Sequence, residues 1–246
     1  MKQETLDRLL EARAAKRKAA LLRWLGSERE ALVVDGEVVL GEVPARVQDA
    51  IADAFRRDKG TTLPTDDGPL FIQVFNPPLR LMVVGAVHIA QALVPIASLT
   101  GYDVTVIDPR GAFASDARFP GVDVRQDWPD EALEELRPDA RTAVVTLTHD
   151  PKLDDPALDV ALRSDAFYIA ALGSRRTHAA RRERLAALGH DDAAMDRIHG
   201  PAGLSLGAVS PAEIAIAVMA EMTQALRQPS RRQEPVAAKT APGEAA

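Results

Sequence analysis

No cysteine occurs among the 246 residues. Disulfides, thiolate metal sites, a cysteine nucleophile and a sulfur carrier are therefore excluded within this chain. No apolar run approaches the roughly 20 residues that a membrane-spanning helix needs. An excess of positive charge is missing too. The formal net charge is −6, which offers no general reason to bind nucleic acid. The N-terminus reads as a charged helical pattern, not a signal peptide, so a cytoplasmic protein is expected. What remains is an ordinary globular balance, 46% hydrophobic and 27% charged. The length suits one large domain, or one domain with a small companion, and can bury a core without staples.

The pattern changes character near residue 78. Before it, residues 4–25 place Leu6, Leu9, Leu10, Leu21, Leu22 and Leu25 at helix-like spacing. The basic run "RAAKRK" within them is either a partner-binding face or a solvated helix side. "ALVVDGEVVLGEV" holds two β-rich runs around Asp35-Gly36, a hairpin signal. Val47, Ile51, Ala54 and Phe55 mark a helix that stops at Gly60. "TTLPTDDGP" reads as a loop, "LFIQVF" as a strand, and "NPP" at 76–78 as the break between a small N-terminal α+β region (1–78) and a second domain (79–228).

In the second domain, strands are expected at 80–85, 103–107, 142–147 and 167–172, with a weaker one near 122–125. Helices are expected at 88–99, 130–136, 156–163, 176–187 and 211–227. This alternation predicts an α/β fold, a Rossmann-like parallel sheet with helices on both faces. The tail 229–246 lacks apolar periodicity and is expected to be disordered.

Ligands of such sheets bind outside the carboxyl ends of the strands. After the first strand come Gly85, Ala86, Val87 and His88. Gly85 suits a tight turn, but Val87 stands where a dinucleotide fingerprint has its second glycine. That branched side chain should hinder the close approach of a pyrophosphate, although the helix N-terminus still offers N–H groups to an anion. His88 either faces the ligand or lies at the surface. Asp108 follows the second strand, either where a ribose diol would be held, with Arg110 able to pair a phosphate, or as half of a salt bridge within the loop. His149 and Asp150 follow the third, placed either for ligand contact and proton transfer or as a helix cap. Asp154 and Asp155 lie close by, which makes a metal site conceivable. Gly173, Ser174, Arg175 and Arg176 open a helix and form either the strongest local anion cradle or a structural turn with solvated arginines. Ser210, Pro211 and Glu213 predict a capping box on a last helix apolar on nearly all sides, hence buried.

Taken together, "GAVHIAQAL", "VTVIDPR", "RFP", "LTHDPKLD", "YIAALGSRRTHAAR", "GPAGLSLGA" and "SPAEIAIAVMAEM" resemble the XdhC/CoxF family of xanthine dehydrogenase accessory proteins. The runs occur in the family's order across roughly residues 71–227. The resemblance implies a Rossmann-like domain that binds molybdenum cofactor (molybdopterin), often as a homodimer. It implies delivery of that cofactor to a molybdenum hydroxylase apo-enzyme such as xanthine or carbon monoxide dehydrogenase. Long members carry an N-terminal glycine-rich loop around a cysteine. Here that region is compressed into residues 30–58 and the cysteine is absent, so no thiolate contact carries over.

Three functions fit these residues. A chaperone would hold molybdenum cofactor through the glycine turns and the charged residues beside them. An NAD(P)-dependent oxidoreductase would use the same cleft; Asp108 favours it, while Val87 and the lack of an evident catalytic acid–base set disfavour it. A pure assembly factor would meet its client through the basic N-terminal helix and hold no small molecule.

Overall fold

The computed structural model describes residues 1–115 and 117–228. The expectation for the tail 229–246 lies outside the described residues. The chain divides into two compact units, Met1–Pro78 and the part from Leu79 onward, each with its own sheet.

The first unit contains α1 (Gln3–Ala14), β1 (Ala19–Trp24), β2 (Glu30–Val34), β3 (Glu37–Leu40), α2 (Gln48–Arg57), β4 (Thr61–Leu63) and β5 (Leu70–Phe75). Its sheet runs β3-β2-β1-β5-β4, antiparallel at each pairing. Asp35 and Gly36 turn the expected hairpin with φ of 51° and 92°, as a two-residue turn of the right twist requires. The long helix expected over 4–25 is not formed. It ends at Ala14, Lys16 turns the chain with φ 53°, and β1 follows. The cause is burial on both sides of β1. Ala19 and Leu21 pack in the cluster of Leu9 and Ala12 from α1, while Ala20, Leu22 and Trp24 pack with Ile51 and Ala54 from α2. A strand covered on both faces loses its polar alternation, so its leucines imitate helical spacing. The basic run is solvent-exposed, with Arg17 paired to Asp35 at 2.6 Å. The segment read as a loop begins with β4, an edge strand on β5.

The second unit contains β6 (Leu79–Val84), α3 (His88–Leu99), β7 (Tyr102–Ile107), β8 (Asp123–Arg125), α4 (Pro129–Leu136), β9 (Thr142–Thr146), α5 (Pro151–Arg163), β10 (Tyr168–Ala171), α6 (Arg175–Ala187), α7 (Asp192–Met195), β11 (Ile198–His199) and α8 (Pro211–Arg227). Its sheet is parallel, in the order β11-β10-β9-β6-β7-β8. Alternate residues of β6 feed two cores. Leu81 and Val83 join Leu93 of α3 and Val218 of α8; Met82 and Val84 join Leu133 of α4, Leu158 of α5 and Leu185 of α6. Helices therefore cover both faces, as the alternating pattern predicts. From central β6 the chain goes to β7 on one side and later returns to β9 on the other. That reversal opens a crevice at the carboxyl ends of β6 and β9, the place where this fold receives ligands.

Three local differences have physical causes. α5 begins at Pro151, ahead of the expected residue 156, because Asp150 caps it and Pro151 fills the first helical position. α7 and β11 are additional to the expected elements; neither is long enough to show a period. α8 starts in the predicted capping box, but only one side is buried. Ala215, Val218 and Met222 face the core while Ile216 is exposed.

Candidate functional site

The crevice is built by four loops at the carboxyl edge of the parallel sheet. Gly85 makes the first turn with φ 109°, and a Cβ there would lie 2.6 Å from the Thr148 methyl. Glycine is needed both for the backbone sign and for the approach of the loop after β9. Ala86 is buried beside it. Val87 caps α3 in ordinary extended backbone, φ −93° and ψ 177°, with its side chain partly buried against the α3 core. His88, the first helical residue, is exposed.

Asp108 at the end of β7 is wholly buried. Its Oδ1 accepts from Arg110 N (3.0 Å) and Arg110 Nε (2.8 Å). Its Oδ2 accepts from Ala86 N and Arg110 Nη2, both at 2.8 Å. Burial alone would raise this carboxyl, but the guanidinium and the two N–H groups outweigh it and hold Asp108 below the ordinary carboxylate range. A carboxylate has about four acceptor positions. All are used, so Asp108 has none left for a ribose diol. Arg118, of the "RFP" run, seals the same turn. Its Nη1 donates to Ala86 O (2.7 Å) and Phe113 O (2.8 Å), and its Nη2 donates to Gln91 Oε1 (3.0 Å). No role for Arg118 was legible in the sequence, because its partners are carbonyls distant along the chain.

After β9, His149 is exposed with a left-handed φ of 63°. Asp150 is the N-cap of α5, its carboxylate accepting from Lys152 N at 3.0 Å. Of the two readings open for Asp150, the cap is the geometry observed. Asp154 and Asp155 do not converge on a shared point. Asp155 pairs with Arg184 (2.5 Å), and Asp154 faces the buried Arg181 (3.5 Å). Among the described residues, no group of three or more His, Asp or Glu side chains is arranged to hold a metal.

Asp154 and Arg181 tie two loops together. Thr148 Oγ1 donates to Asp154 Oδ1 (2.7 Å), and Arg181 Nη2 donates to Leu172 O (3.0 Å). The loop after β9 is thus braced to the loop after β10 through a pair that is only 1% and 2% exposed. Burial raises Asp154 above the ordinary carboxylate range despite Thr148 and Arg181, and burial lowers Arg181. Asp154 Oδ2, Arg181 Nε and Nη1, and Thr146 Oγ1 have no hydrogen-bond partner among the described residues. The pair is therefore a costly strut that holds the crevice in shape.

Gly173 turns with φ 138° and Ser174 caps α6, accepting from Thr177 N at 3.1 Å. Arg175 and Arg176 are exposed at the helix N-terminus and form no ion pair or hydrogen bond among the described residues. Two unpaired guanidinium groups beside free helix N–H groups can receive an anion. The structure thus joins Gly85 and Ala86 directly to Asp108 and Arg110, and braces the loop of His149 and Asp150 to that of Gly173 to Arg176. His88 and His149 are left at the surface.

Sequence reasoning missed one further cluster. Glu221 of α8 accepts from Tyr168 OH at 2.6 Å and Gly203 N at 2.9 Å, and lies 3.1 Å from His199 Nδ1. Burial pushes Glu221 up, but the His199, Tyr168 and Gly203 bonds prevail and hold it below the ordinary range. The signal available was an acid inside the apolar run "IAIAVMAEM".

No helix among the described residues is long and apolar enough to cross a membrane. The sequence matches the family described as XdhC Rossmann domain over residues 81–222. It is 33% identical over 148 residues to the molybdenum cofactor insertion chaperone PaoD of Escherichia coli, which covers 60% of this chain and 40% of that protein. It is also 33% identical over 156 residues to a Bacillus subtilis protein named as a probable subunit of xanthine dehydrogenase, covering 63% of this chain and 45% of the other. The matches span less than half of either relative. In fold, the chain is similar to a crystal structure described as a xanthine dehydrogenase from Bacillus halodurans. The TM-score is 0.69 at 24% identity, over 94% of this chain and 66% of that one. With the family match covering more than half of the chain, and with relatives named for molybdenum cofactor insertion and for xanthine dehydrogenase, the chain belongs to the XdhC Rossmann-domain family.

Proposed function

We propose that this chain holds molybdenum cofactor at the carboxyl edge of its parallel sheet and passes it to the apo form of a molybdenum hydroxylase, such as xanthine or carbon monoxide dehydrogenase. The cofactor is cargo here. Its phosphate would meet Arg175 and Arg176 at the N-terminus of α6, with the Gly85 turn and the N-terminus of α3 facing the same crevice. Without cysteine, the chain offers no thiolate, so its grip rests on charge, N–H groups and shape.

One observation carries this reading over a nicotinamide oxidoreductase. Asp108, the acid that would hold a ribose diol, is saturated by Arg110 and Ala86, whereas Arg175 and Arg176 stand unpaired. These contacts favour an anion over a diol in the crevice. The relatives' names support the same conclusion.

Mass spectrometry of ligand released from the purified chain tests the cargo. A pterin is expected; a nicotinamide would overturn the reading in favour of the oxidoreductase, and no ligand would favour a pure assembly factor. Delivery is tested by loading the chain with molybdenum cofactor and adding apo-hydroxylase. Activation that exceeds the rate with free cofactor is the expected result.

A further inference from the structure

Beside the Gly173 turn lies a cavity of about 690 Å³. Its walls come from the end of β10, from the loop 201–208 and from one face of α8. α8 contributes Ile214, Ala217, Glu221 and Gln224, which recur at the three- and four-residue spacing of a single helix face. Leu172 and Ala202 add apolar surface, and Arg175 brings its unpaired guanidinium to the same space.

The polar groups on α8 are specific in what they leave open. Glu221 has about four acceptor positions. Tyr168 and Gly203 fill those of Oε2, and His199 takes one on Oε1. One position on Oε1 remains, on a side chain 16% exposed. One turn further along, the Gln224 amide is half-buried, lines the cavity and makes no side-chain hydrogen bond among the described residues. Carboxylate and amide thus offer neighbouring acceptors, with the amide N–H₂ as a donor beside them. Apolar walls around such a pair suit a flat ring.

We infer that this cavity takes a planar nitrogen heterocycle through the 2-amino-4-oxopyrimidine edge that pterins and guanine share. Adjacent ring N–H and amino N–H groups would donate to Glu221 Oε1 and the Gln224 carbonyl, and the ring carbonyl would accept from an N–H. An anionic substituent on the ring would meet Arg175. Adenine is disfavoured by the same chemistry. Its N1 is an acceptor that the Glu221 carboxylate cannot satisfy, so adenine can pair with the Gln224 amide but loses the bond at Glu221. The inference rests on the cofactor reading above, to which it adds the part of the molecule that holds the ring.

The test uses the full chain and three probes: the fluorescent pterin-6-carboxylate, guanosine monophosphate and adenosine monophosphate. Saturable binding of pterin-6-carboxylate, guanosine monophosphate or both is expected, with adenosine monophosphate at least about tenfold weaker, a gap of the size of one lost hydrogen bond. Binding of only one of the first two names its source, pterin or guanine. Gln224→Ala should weaken binding about tenfold with an unchanged melting curve. Glu221→Gln supplies a second variant, because its amide would confront a ring N–H with a donor. Equal binding of the adenine probe overturns the inference. So does absence of any probe binding, or a Gln224→Ala chain that binds as the parent does. Should the chain bind whole molybdenum cofactor while neither ring probe binds, the subsite falls and the cofactor reading stands. If ring probes bind and whole cofactor does not, the cofactor reading falls instead.

Discussion

Arg110 grips both oxygens of Asp108, with Nε 2.8 Å from Oδ1 and Nη2 2.8 Å from Oδ2. The carboxylate is wholly buried and the guanidinium 39% exposed. This one contact both stabilises the Gly85 turn and removes the diol acceptor of a nicotinamide site. Arg110→Gln should therefore lower stability by about 1.5–3 kcal/mol, the range for a hydrogen bond to a charged group. It should also raise affinity for NADH, because acceptor positions reopen. Urea unfolding and an NADH titration check the two effects. Unchanged NADH affinity would mean that the pair is not what closes the site.

Acid should undo the same contact. Asp108 lies below its ordinary range in the folded chain. Its contribution is thus fully present above the unfolded value near 3.9, and is lost as pH falls through the lower folded value. Asp108→Asn should be less stable than the parent at pH 7, and the gap should shrink as pH falls below about 4. Asp154 has the opposite sign, since burial raises it. Its charged form opposes folding above the raised value, and protonation relieves that. Urea midpoints of parent and Asp108→Asn across pH 3 to 7 measure the gap.

Two aspartate–arginine pairs on α5 and α6 should differ sharply in worth. Arg181→Ala leaves Asp154 buried without its cation, and should cost about 3–5 kcal/mol. Arg184, which pairs with Asp155, is 40% exposed. Arg184→Ala should cost no more than about 1 kcal/mol. Guanidinium chloride unfolding of both variants decides it. Equal costs would deny that Asp154 and Arg181 brace the crevice.

Arg175 touches no described residue through a hydrogen bond or ion pair, so its removal should affect binding and not folding. Arg175→Ala should weaken cofactor binding by about 1.5–3 kcal/mol and leave the melting temperature unchanged. Added salt should also weaken binding in the parent, since part of the attraction is between charges. Gly173→Val should harm both properties. Its φ is 138°, and a Cβ there would already sit 3.1 Å from Thr177. Calorimetric titration with melting curves separates the two variants.

The period of the apolar residues was sufficient by itself for the main strands and helices of the second unit, though not for the short α7 and β11. α3 and α8 have the bounds that their patterns predict, and strand–helix alternation implied a parallel sheet covered on both faces. Loop chemistry was legible too, where it is local. Asp35-Gly36 turns a hairpin, Ser210 and Glu213 close a capping box, and the glycine at 85 precedes a helix. What sequence spacing could not convey is which side chains meet across the sheet. Leu21 and Leu22 passed for helix because only the packing of α1 and α2 covers both faces of β1. Asp108 read as either a ribose acceptor or half of a loop salt bridge, and the fold decides for the second by turning Arg110 onto it and adding Ala86 N–H from another loop. Asp154 with Arg181, and Glu221 with Tyr168 and His199, are separated by 22 to 53 residues (221 − 199 and 221 − 168 at the extremes). Local patterns report on neighbours along the chain, whereas burial and charge pairing are decided by neighbours in space, and only the tertiary structure brings those together.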